Sequence, residues 1–461
     1  MKLNETKGFS TLIIFIIAAA IMSASQSVVT TGISGIMADF QVSSTTAQWI
    51  YSAFLLVLGV MIPTSAYISK RYTVKKILIS ALIIFIIGCI ISIISPSIEV
   101  LIISRVIQAI GCGILLPITQ IVLFKVIPEE QWQVYMGLFG LIIGIVPALA
   151  PTLGGIIIDM FSWRAIFVAF AVITAVILIA SFFVSKLELE TEKIPLDFGS
   201  LALCVIACVG IMFGFTNIAQ YGTSITYVIL PILIGAIALV LYVRRDLRIK
   251  YYLLNLRVLK NKFFFMGTLF SAILYFTMCG INVMMPLFVQ DVTLQSATTA
   301  GIVLLPGTIV MILFNFIGPV LATKIGVRKV LIASCVFTFI GFITMFTYNL
   351  NTSVTYMIIT QVIRCIGAGL GLMPAVTWTI STVSENVEDS TAINNTVRQI
   401  IGSIGAAMAV VFLAIFAGGP ITNNIASVNA FGETSIIMAV LTIISLIIVL
   451  IYIKPKEELN L

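Results

Sequence analysis

The sequence has no histidine and very little charge. Only 9% of its 461 residues are charged, whereas charged residues make up roughly a quarter of a soluble globular domain. The lack of histidine excludes imidazole-based proton relays, metal ligands and nucleophile–base pairs. Together with a hydrophobic content of 60%, the low charge excludes a soluble globular chain and indicates one whose solvent is the lipid bilayer.

Cysteine is also scarce, and the sequence contains no motif that is typical of a metal or nucleotide site. All seven cysteines lie within apolar runs, which favours side-chain packing over disulfides. Cys204 and Cys208 share one face of a predicted helix, but no third ligand is near them in the sequence, so we predict no metal site. No nucleotide-binding P-loop is present. We therefore expect no cofactor.

Long apolar runs with short polar breaks predict an all-α integral membrane protein. One span requires about 20 apolar residues, and the runs in this chain predict fourteen. The predicted spans are 10–37, 46–68, 76–95, 98–124, 133–158, 164–185, 197–219, 224–243, 262–289, 297–322, 328–349, 354–380, 391–417 and 435–453.

The positive charges predict the orientation of the spans. Nearly all loop lysines and arginines fall on the side of the two termini, and Arg164 is the one loop cation opposite. By the positive-inside rule both termini are cytoplasmic, in a bacterial plasma membrane. The same rule explains the net charge of +7, which gives no reason to propose nucleic-acid binding. Anionic lipid is the expected partner of the longest basic loop, from Val243 to Lys262.

Two stretches of the chain repeat at nearly the same spacing. Residues 106–113 resemble residues 362–369, and residues 70–76 resemble residues 323–329. The offsets nearly agree, since 362 − 106 = 256 and 328 − 75 = 253. Transporters are commonly built from two related halves. The predicted domains are an N-terminal six-helix bundle at 1–190, two inserted helices at 191–250 and a C-terminal six-helix bundle at 251–461.

Several motifs occur in an order that is typical of one transporter family. Span 4 contains Arg105, Gln108 and Gly111, and span 5 contains Pro147, Ala150, Pro151, Gly154 and Gly155 at the spacing P-x-x-A-P-x-x-G-G. The chain resembles the major facilitator superfamily, in particular its fourteen-helix drug:proton antiporter branch. The tract from Leu56 to Tyr67, which contains Ile62-Pro63, resembles the lincomycin and multidrug exporter subgroup of that branch. Further matching segments are Gln48-Trp49, Trp163-Arg164, Leu305-Pro306-Gly307 and Asn395-Thr396-Val397-Arg398-Gln399.

Three arginines lie inside predicted spans, where an uncompensated guanidinium is costly. Arg105 pairs with Gln108 and backbone carbonyls, or it faces a cavity and takes part in proton coupling or anion binding; the resemblance favours the second reading. In the second half the polar pair has the opposite order, because Gln361 takes the slot of Arg105 and Arg364 that of Gln108. Arg398 is the third arginine.

Two more elements have conformational roles in the family. The glycines and prolines of span 5 loosen that helix and allow close packing; the resemblance associates this motif with export, and simple packing is the alternative. In the basic loops the resemblance implies a latch formed by Lys70, Arg71, Lys75 and Arg328, and the alternative is charge that only sets topology. The family's loop aspartates are replaced here by Lys70 and Thr323.

The sequence departs from the family at the expected proton site. Where the branch commonly has an aspartate in span 1, this chain has Ser25-Gln26-Ser27. Every acidic residue falls near a predicted membrane face, so no mid-membrane carboxylate is available to exchange protons against a cation. Asp39 and Asp159 are the remaining proton candidates, and the alternative for both is an ordinary role at a loop or helix end.

The predicted cavity is neutral to positive if these arginines face it, which favours neutral, zwitterionic or anionic amphiphiles over dications. Each polar or aromatic residue near a span centre either lines this cavity or forms an interhelical hydrogen bond. These candidates are Gln26, Tyr51, Gln120, Tyr275, Asn282, Asn315, Trp378, Asn394 and Asn395.

The sequence thus predicts a secondary exporter of drug-like amphiphiles that works by alternating access, with proton antiport implied by the resemblance. An exporter or flippase of an endogenous anionic lipid or fatty acid is the alternative. No nucleophile–base or metal constellation supports an enzyme. We expect a monomer.

Overall fold

A computed structural model describes residues 3–127, 132–183, 197–222, 224–249, 256–383, 387–419 and 421–453. All regular structure in these ranges is helical. Fourteen of the helices are long and apolar enough to cross a membrane, which confirms the predicted fold class and number of spans. We number them α1 to α14 in chain order.

The spanning helices have the following bounds. The first seven are α1 Leu3–Val28, which continues through a 3-10 turn at Val29–Gly32 into Ile33–Phe40, α2 Trp49–Arg71, α3 Val74–Ile93, α4 Ile98–Val126, α5 Trp132–Met160, α6 Trp163–Phe182 and α7 Phe198–Thr216. The second seven are α8 Leu230–Asp246, α9 Lys262–Leu287, which continues into a π-turn at Phe288–Val292, α10 Ala297–Ile325, α11 Val327–Met345, α12 Val354–Ser381, α13 Val387–Ala417 and α14 Ile425–Tyr452.

Fourteen crossings return the chain to the side on which α1 begins. We call this side the terminal side and the opposite one the far side. On the far side, Arg164 at the start of α6 pairs with Asp39 at the end of α1 and donates to the carbonyl of Ser95 at 3.3 Å. On the terminal side, Nζ of Lys75 at the start of α3 donates to the carbonyl of Phe182 at the end of α6 at 2.7 Å. These contacts bring helix ends of the same side together.

The two halves repeat their packing as well as their motifs. A Cβ atom on Gly88 of α3 would lie 2.6 Å from Cγ of Gln108, and one on Gly341 of α11 would lie 2.5 Å from Cβ of Arg364. Only glycine allows the helices to approach so closely. These positions are equivalent, since 341 − 88 = 253 and 364 − 108 = 256. The repeated segments therefore make the same helix–helix contact in each half.

The helices bury separate apolar cores. Helices α1 to α6 share one core, which includes Phe15, Phe54 and Phe85, and we call them the N-terminal bundle. Helices α9 to α14 share another, and we call them the C-terminal bundle. Ile33 and Tyr51 of the first bundle contribute to the second core and so mark the seam between the bundles. The domain boundaries near 190 and 250 lie outside the described residues and remain predictions.

Helices α7 and α8 form a pair that packs across the seam. Cys208 and Met212 of α7 share a small apolar cluster with Leu56 of α2 and Ala407 of α13. On the terminal side the pair is closed by Asp197, whose carboxylate accepts hydrogen bonds from Arg245 and caps α7. These bonds hold the pKa of Asp197 well below its usual range.

Candidate functional site

Arg105 is enclosed within the N-terminal bundle. Its guanidinium donates to the hydroxyl of Ser25 at 2.8 Å and the carbonyl of Ser25 at 2.9 Å. It also donates to Oε1 of Gln108 and, at 3.3 Å, to the carbonyl of Ile50. The ring of Phe54 lies 4.3 Å away. Because Arg105 is fully buried, these neutral acceptors, and not a water-filled cavity, surround its charge in this conformation.

Gln108 extends the network to α3. Its Nε2 donates to Oγ of Ser92 at 2.8 Å, and Ser92 in turn lies 2.7 Å from Oγ of Ser104. Gly111 packs one turn further along, where a Cβ atom would lie 2.7 Å from the carbonyl of Ala81. The motif of α4 thus connects α1, α2 and α3 through buried polar contacts.

Arg364 is similarly buried in the C-terminal bundle but has fewer partners. Its Nε donates to Oε1 of Gln361 at 3.0 Å, and its NH2 group lies 3.1 Å from Sγ of Cys365. Its NH1 group is buried without a hydrogen-bond partner among the described residues. The swapped order of the pair therefore preserves one arginine–glutamine contact and leaves part of the guanidinium unsatisfied.

Arg398 lies at the seam, in α13. Its guanidinium carbon is 5.2 Å from the ring centre of Tyr275 in α9. Its buried Nε has no hydrogen-bond partner within the described ranges. The two ion pairs found among the described residues, Asp39–Arg164 and Asp197–Arg245, do not include it. Arg398 is therefore a cation within a span whose charge no described carboxylate neutralises.

Polar residues of both bundles surround Tyr275. Its hydroxyl donates to Oε1 of Gln399 at 3.3 Å and also interacts with Gln26 of α1. Gly402 allows the ring to lie close against α13, because a Cβ atom there would be 2.6 Å from Cδ1 of Tyr275. Tyr51 of α2 faces Cys279 and Asn282 of α9. We call this set the seam cluster: Gln26, Tyr51, Tyr275, Cys279, Asn282, Arg398 and Gln399.

The other cavity candidates lie elsewhere. Asn394 is buried and donates to the hydroxyls of Thr268 at 3.4 Å and Ser271 at 3.3 Å, so it joins α13 to α9. Gln120 is exposed, Trp378 and Asn395 are half-buried, and Oδ1 of Asn315 is buried without a partner among the described residues. The structure therefore brings Gln26, Tyr51, Tyr275 and Asn282 into one cluster and leaves these five outside the contacts that define it.

The glycine and proline motif of α5 lies between α1 and α10. On one side, the carbonyl of Pro147 accepts a hydrogen bond of 2.8 Å from Ser27, and a Cβ atom on Gly154 would be 2.2 Å from Cγ2 of Val28. On the other side, a Cβ atom on Gly155 would be 2.5 Å from the carbonyl oxygen of Ala297. Gly154 thus permits close contact with α1 of the same bundle, and the adjacent Gly155 permits close contact with α10 of the opposite bundle.

Further contacts on the far side continue the approach of α5 to α10. A Cβ atom on Gly301 of α10 would lie 2.7 Å from the carbonyl oxygen of Pro151. Thr152 donates to the carbonyl of Gly301 at 3.1 Å. Asp159 is exposed, and its Oδ2 accepts a hydrogen bond of 2.9 Å from the backbone N–H of Thr298 at the start of α10. In this conformation the two bundles are in contact along their far-side halves.

The second proton candidate, Asp39, has a partner of its own. It accepts hydrogen bonds from Arg164 and, at 3.1 Å, from Nε1 of Trp163. About 45% of its side chain is exposed. This is the geometry of an ion pair at the membrane surface, and it fixes the start of α6 to the end of α1.

Two of the predicted latch residues contact helix ends. Lys75 donates to the last turn of α6, and Arg328 donates to the carbonyl of Leu450 in α14 at 3.1 Å. A cation is stabilised at the negative, C-terminal end of a helix dipole. The Lys75 contact lies within the N-terminal bundle and the Arg328 contact within the C-terminal bundle. Arg71 is exposed at the end of α2, and the side chain of Lys70 lies outside the described part of the structure.

Three residues of these networks are not assigned to them by the sequence analysis. Ser25 was predicted to replace a missing acid, not to bind Arg105, and Gln399 and Cys279 were not cavity candidates. Gln399 follows Arg398 in the sequence, and Cys279 lies one helical turn after Tyr275. These positions suggest a role for the two residues only when the contact between α9 and α13 is known. Across the described ranges, no group of three or more cysteines or acids is placed to hold a metal ion.

A model of the Major Facilitator Superfamily matches residues 15–406. The chain belongs to this superfamily. The lincomycin resistance protein LmrB of Bacillus subtilis (strain 168) is 30% identical over 422 residues, covering 89% of this chain and 86% of that protein. An MFS-type transporter of the same organism, YcnB, is 30% identical over 98% of this chain and 97% of its own length. The chain is therefore an MFS transporter of the multi-pass membrane type.

Solved MFS structures have the same fold. A bacterial homolog of the human lysosomal transporter Spinster, in an inward-facing and unoccupied conformation, superimposes with a TM-score of 0.69 at 15% identity, over 97% of each chain. The peptide transporter POT in complex with sulfate gives a TM-score of 0.70 at 13% identity, over 96% of this chain and 94% of that chain. Identities this low support the fold and not the substrate.

Proposed function

We propose that this transporter exports amphiphilic, drug-like molecules by alternating access and is driven by proton antiport. The observation that carries the proposal is the seam cluster, in which both bundles contribute polar and aromatic side chains around Arg398. Residues of opposite bundles separate when the bundles rock, so a ligand held between them is exposed to each side in turn. The resistance phenotypes in the names of LmrB and of Multidrug resistance protein 3, which is 27% identical, support drugs as the substrates.

The packing of α5 is consistent with rocking. Gly155 and Gly301 give close backbone contact between the bundles on the far side, with few side chains to disentangle. Such a contact can form and break without repacking a core. The terminal side carries most of the loop cations, so we propose that it faces the cytoplasm and that this structure corresponds to a carrier closed toward the exterior. We also propose that the monomer is the working unit.

Arg398 favours a second candidate function, export of an endogenous anionic amphiphile such as a fatty acid. A guanidinium without a counter-charge at the seam attracts carboxylate or phosphate, which it binds through paired hydrogen bonds. Tyr275 and Gln399 provide additional polar groups beside it. The same site binds a neutral drug through Tyr51, Tyr275 and the amides, without use of the charge.

Two variants of Arg398 distinguish these functions. Radiolabelled lincomycin and laurate are the probes, measured by uptake into inside-out vesicles from cells that express the protein, with and without a protonophore. If drugs are the substrates, wild type accumulates lincomycin, the protonophore abolishes accumulation, and Arg398→Gln retains it. If the anionic amphiphile is the substrate, laurate is transported, Arg398→Gln loses it and Arg398→Lys retains part of it.

Glu433→Gln, an exposed far-side variant, is the matched control for expression and membrane insertion. Accumulation of lincomycin that is unchanged by the protonophore would contradict proton coupling. Accumulation of neither probe, in membranes that contain folded protein, would contradict both candidate functions.

A further inference from the structure

A cavity of about 1070 Å³ lies between the two bundles on the far side. The N-terminal bundle contributes the last turns of α1 and residues 41–46, and the C-terminal bundle contributes Asp291 and residues between 414 and 421. Lining residues such as Ala38 and Gln41 are exposed, so the cavity opens to the far side. A pocket of this size holds a drug-sized molecule.

Asp291 is the one ionisable residue among the described residues that line the cavity. It lies in the π-turn Phe288–Val292 that continues α9, and its Oδ2 accepts a hydrogen bond of 3.0 Å from the hydroxyl of Ser34 near the end of α1. Neither of the two ion pairs found in the described part of the chain includes Asp291. A neutral hydroxyl therefore fixes this carboxylate at the seam, and no described cation neutralises it.

The electrostatic surroundings of the carboxylate are also negative. The far side has one loop cation, Arg164, which is already paired with an acid. Helices α1, α9 and α13 all end at the cavity, and the C-terminal end of a helix carries a partial negative charge. The acids near this face are Asp39, Glu99, Asp159, Asp291 and Glu433. The cavity therefore attracts a cation.

The walls of the cavity are mainly apolar. Met37 and Val42 line the side of α1, and Ile415 and Ile421 line the side of α13. These walls favour a ligand with a hydrocarbon or aromatic body, which loses contact with water when it binds. Asp291 in turn offers a charge-assisted hydrogen bond to a protonated amine. A bare metal ion would use the carboxylate but leave the apolar walls uncovered.

We propose that this cavity is a regulatory site for an amphiphilic amine, which binds from the far side with its ammonium group on Asp291 and its apolar body between α1 and α13. The ligand contacts both bundles only while the far side is closed, so its binding stabilises the closed state. Arg398 makes the seam cluster unfavourable for a cation. The amine therefore inhibits the carrier and is not its cargo, which places this site beyond the proposed export function.

A matched pair of ligands tests the charge preference. Tritiated diphenylpropylamine and diphenylpropanol have the same apolar body, but only the amine is charged. Their equilibrium binding is measured on the protein in phosphatidylcholine nanodiscs, and binding to empty nanodiscs is subtracted. We expect the amine to bind about tenfold more tightly than the alcohol, and Asp291→Asn to remove this difference, because a hydrogen bond to a charged group is lost.

Two further variants locate the ligand. Glu99→Gln removes an exposed far-side acid that does not line the cavity, so it should bind the amine as wild type does. Gly419 lines the cavity, and a Cβ atom there would have no neighbour within 4 Å. Gly419→Phe should therefore fill part of the space and weaken binding of both ligands. Equal affinity of wild type for amine and alcohol, or unchanged amine binding by Asp291→Asn, would overturn the inference.

A lipid headgroup is a second source of the same ammonium chemistry. Phosphatidylcholine has no N–H donor, whereas phosphatidylethanolamine has a primary ammonium group. If the headgroup occupies the site, adding phosphatidylethanolamine to the nanodiscs should weaken binding of the amine to wild type but leave the residual binding to Asp291→Asn unchanged. If the occupant is a free amine, binding should be the same in both lipids.

Spin labels test whether the ligand closes the far side. Cysteines introduced at Ile94 and Asn351, exposed far-side residues of different bundles, carry the labels, and the native cysteines are all buried. Pulsed electron resonance measures the distance between the labels in nanodiscs. We expect diphenylpropylamine to increase the short, closed distance in wild type but not in Asp291→Asn. An amine that binds and leaves the distances unchanged would contradict inhibition by closure. Neither measurement uses a transported substrate, so both decide the inference even if the proposed export is wrong.

Discussion

The hydroxyl of Ser25 lies 2.8 Å from the NH1 group of Arg105, at a position where the family resemblance leads us to expect an aspartate. A neutral serine thus takes the place of a counter-ion. Arg105 also donates to Gln108 and to the backbone carbonyls of Ser25 and Ile50. The protein therefore stabilises this buried charge with dipoles, and its N-terminal bundle contains a fixed positive charge that no described carboxylate neutralises.

Ser25→Ala should destabilise the protein. The substitution removes an acceptor from a fully buried guanidinium, which costs about 1–3 kcal/mol. Ser25→Asp should recover this loss, since it supplies a counter-charge at the same place. Thermal unfolding in detergent measures both effects. Ser80→Ala is the control, because that hydroxyl bonds only to the carbonyl of Ile77 in its own helix. Equal melting temperatures for Ser25→Ala and the control would contradict the assignment.

Arg105→Ala should abolish transport while the protein still inserts and folds. The Arg105 network joins α4 to α1 and α2, the two helices that carry Gln26 and Tyr51 to the seam cluster. Loss of this network allows α1 and α2 to move relative to α4, whereas the packing of the C-terminal bundle stays intact. Arg105→Lys should recover little, because an ammonium cannot reach Ser25, Gln108 and Ile50 together. Uptake of lincomycin or laurate and size-exclusion elution report the two properties. Near-normal uptake by Arg105→Ala would leave Arg105 with a structural role only.

The sequence was sufficient for the fold because hydropathy determines which segments cross the bilayer. All fourteen spans are present, and most ends agree within a few residues. The largest difference is at α14, which begins at Ile425 and not near 435. Asn429 and Glu433 lower the hydropathy of its first turns, and both are exposed, so they can continue the helix on a face away from the core. Hydropathy alone does not show that these two polar residues lie on one exposed face of a continuous helix.

The site was predictable as a set of residues but not as a set of contacts. Gln26, Tyr51, Tyr275 and Asn282 were candidates because polar groups inside spans are costly. Asn394 is a candidate for the same reason, but it joins α13 to α9. Which polar residue faces the seam depends on how helices far apart in sequence are rotated against each other. For example, the hydroxyl of Ser34 at the end of α1 donates to the carboxylate of Asp291 after α9, a contact that spans 257 residues, and neither residue stands out in its own segment.

Acid should loosen the pair of inserted helices. Bonds from Arg245 lower the pKa of Asp197, so the pair contributes stability at neutral pH and loses it as the pH falls through the lowered pKa. The contribution is small, because Arg245 is exposed and water screens the pair. Asp197→Asn should remove it at neutral pH and abolish its dependence on pH. Hydrogen exchange in the first turn of α7 measures the effect, with Glu99→Gln as the control. Equal exchange in wild type and Asp197→Asn would contradict the role of the pair.

Gly155→Ala should shift the carrier toward the state that is open on the far side. The added methyl group would lie 2.5 Å from the backbone carbonyl of Ala297, which cannot rotate away as a flexible side chain would. Overpacking of this kind costs about 1–3 kcal/mol, and because the cost arises only while α5 and α10 are in contact, it changes the ratio of closed to open states by about 5- to 150-fold.

Spin labels on cysteines introduced at Ile94, after α3, and Asn351, before α12, measure that ratio, because both positions are exposed on the far side and lie on different bundles. Gly419→Ala is the matched control, since a Cβ atom there would have no neighbour within 4 Å. We expect the long distance to increase in Gly155→Ala and to stay at the wild-type level in Gly419→Ala. A closed population in Gly155→Ala equal to that of wild type would mean that the far-side contact of α5 with α10 does not control the conformational equilibrium, and that the glycines of this motif serve packing alone.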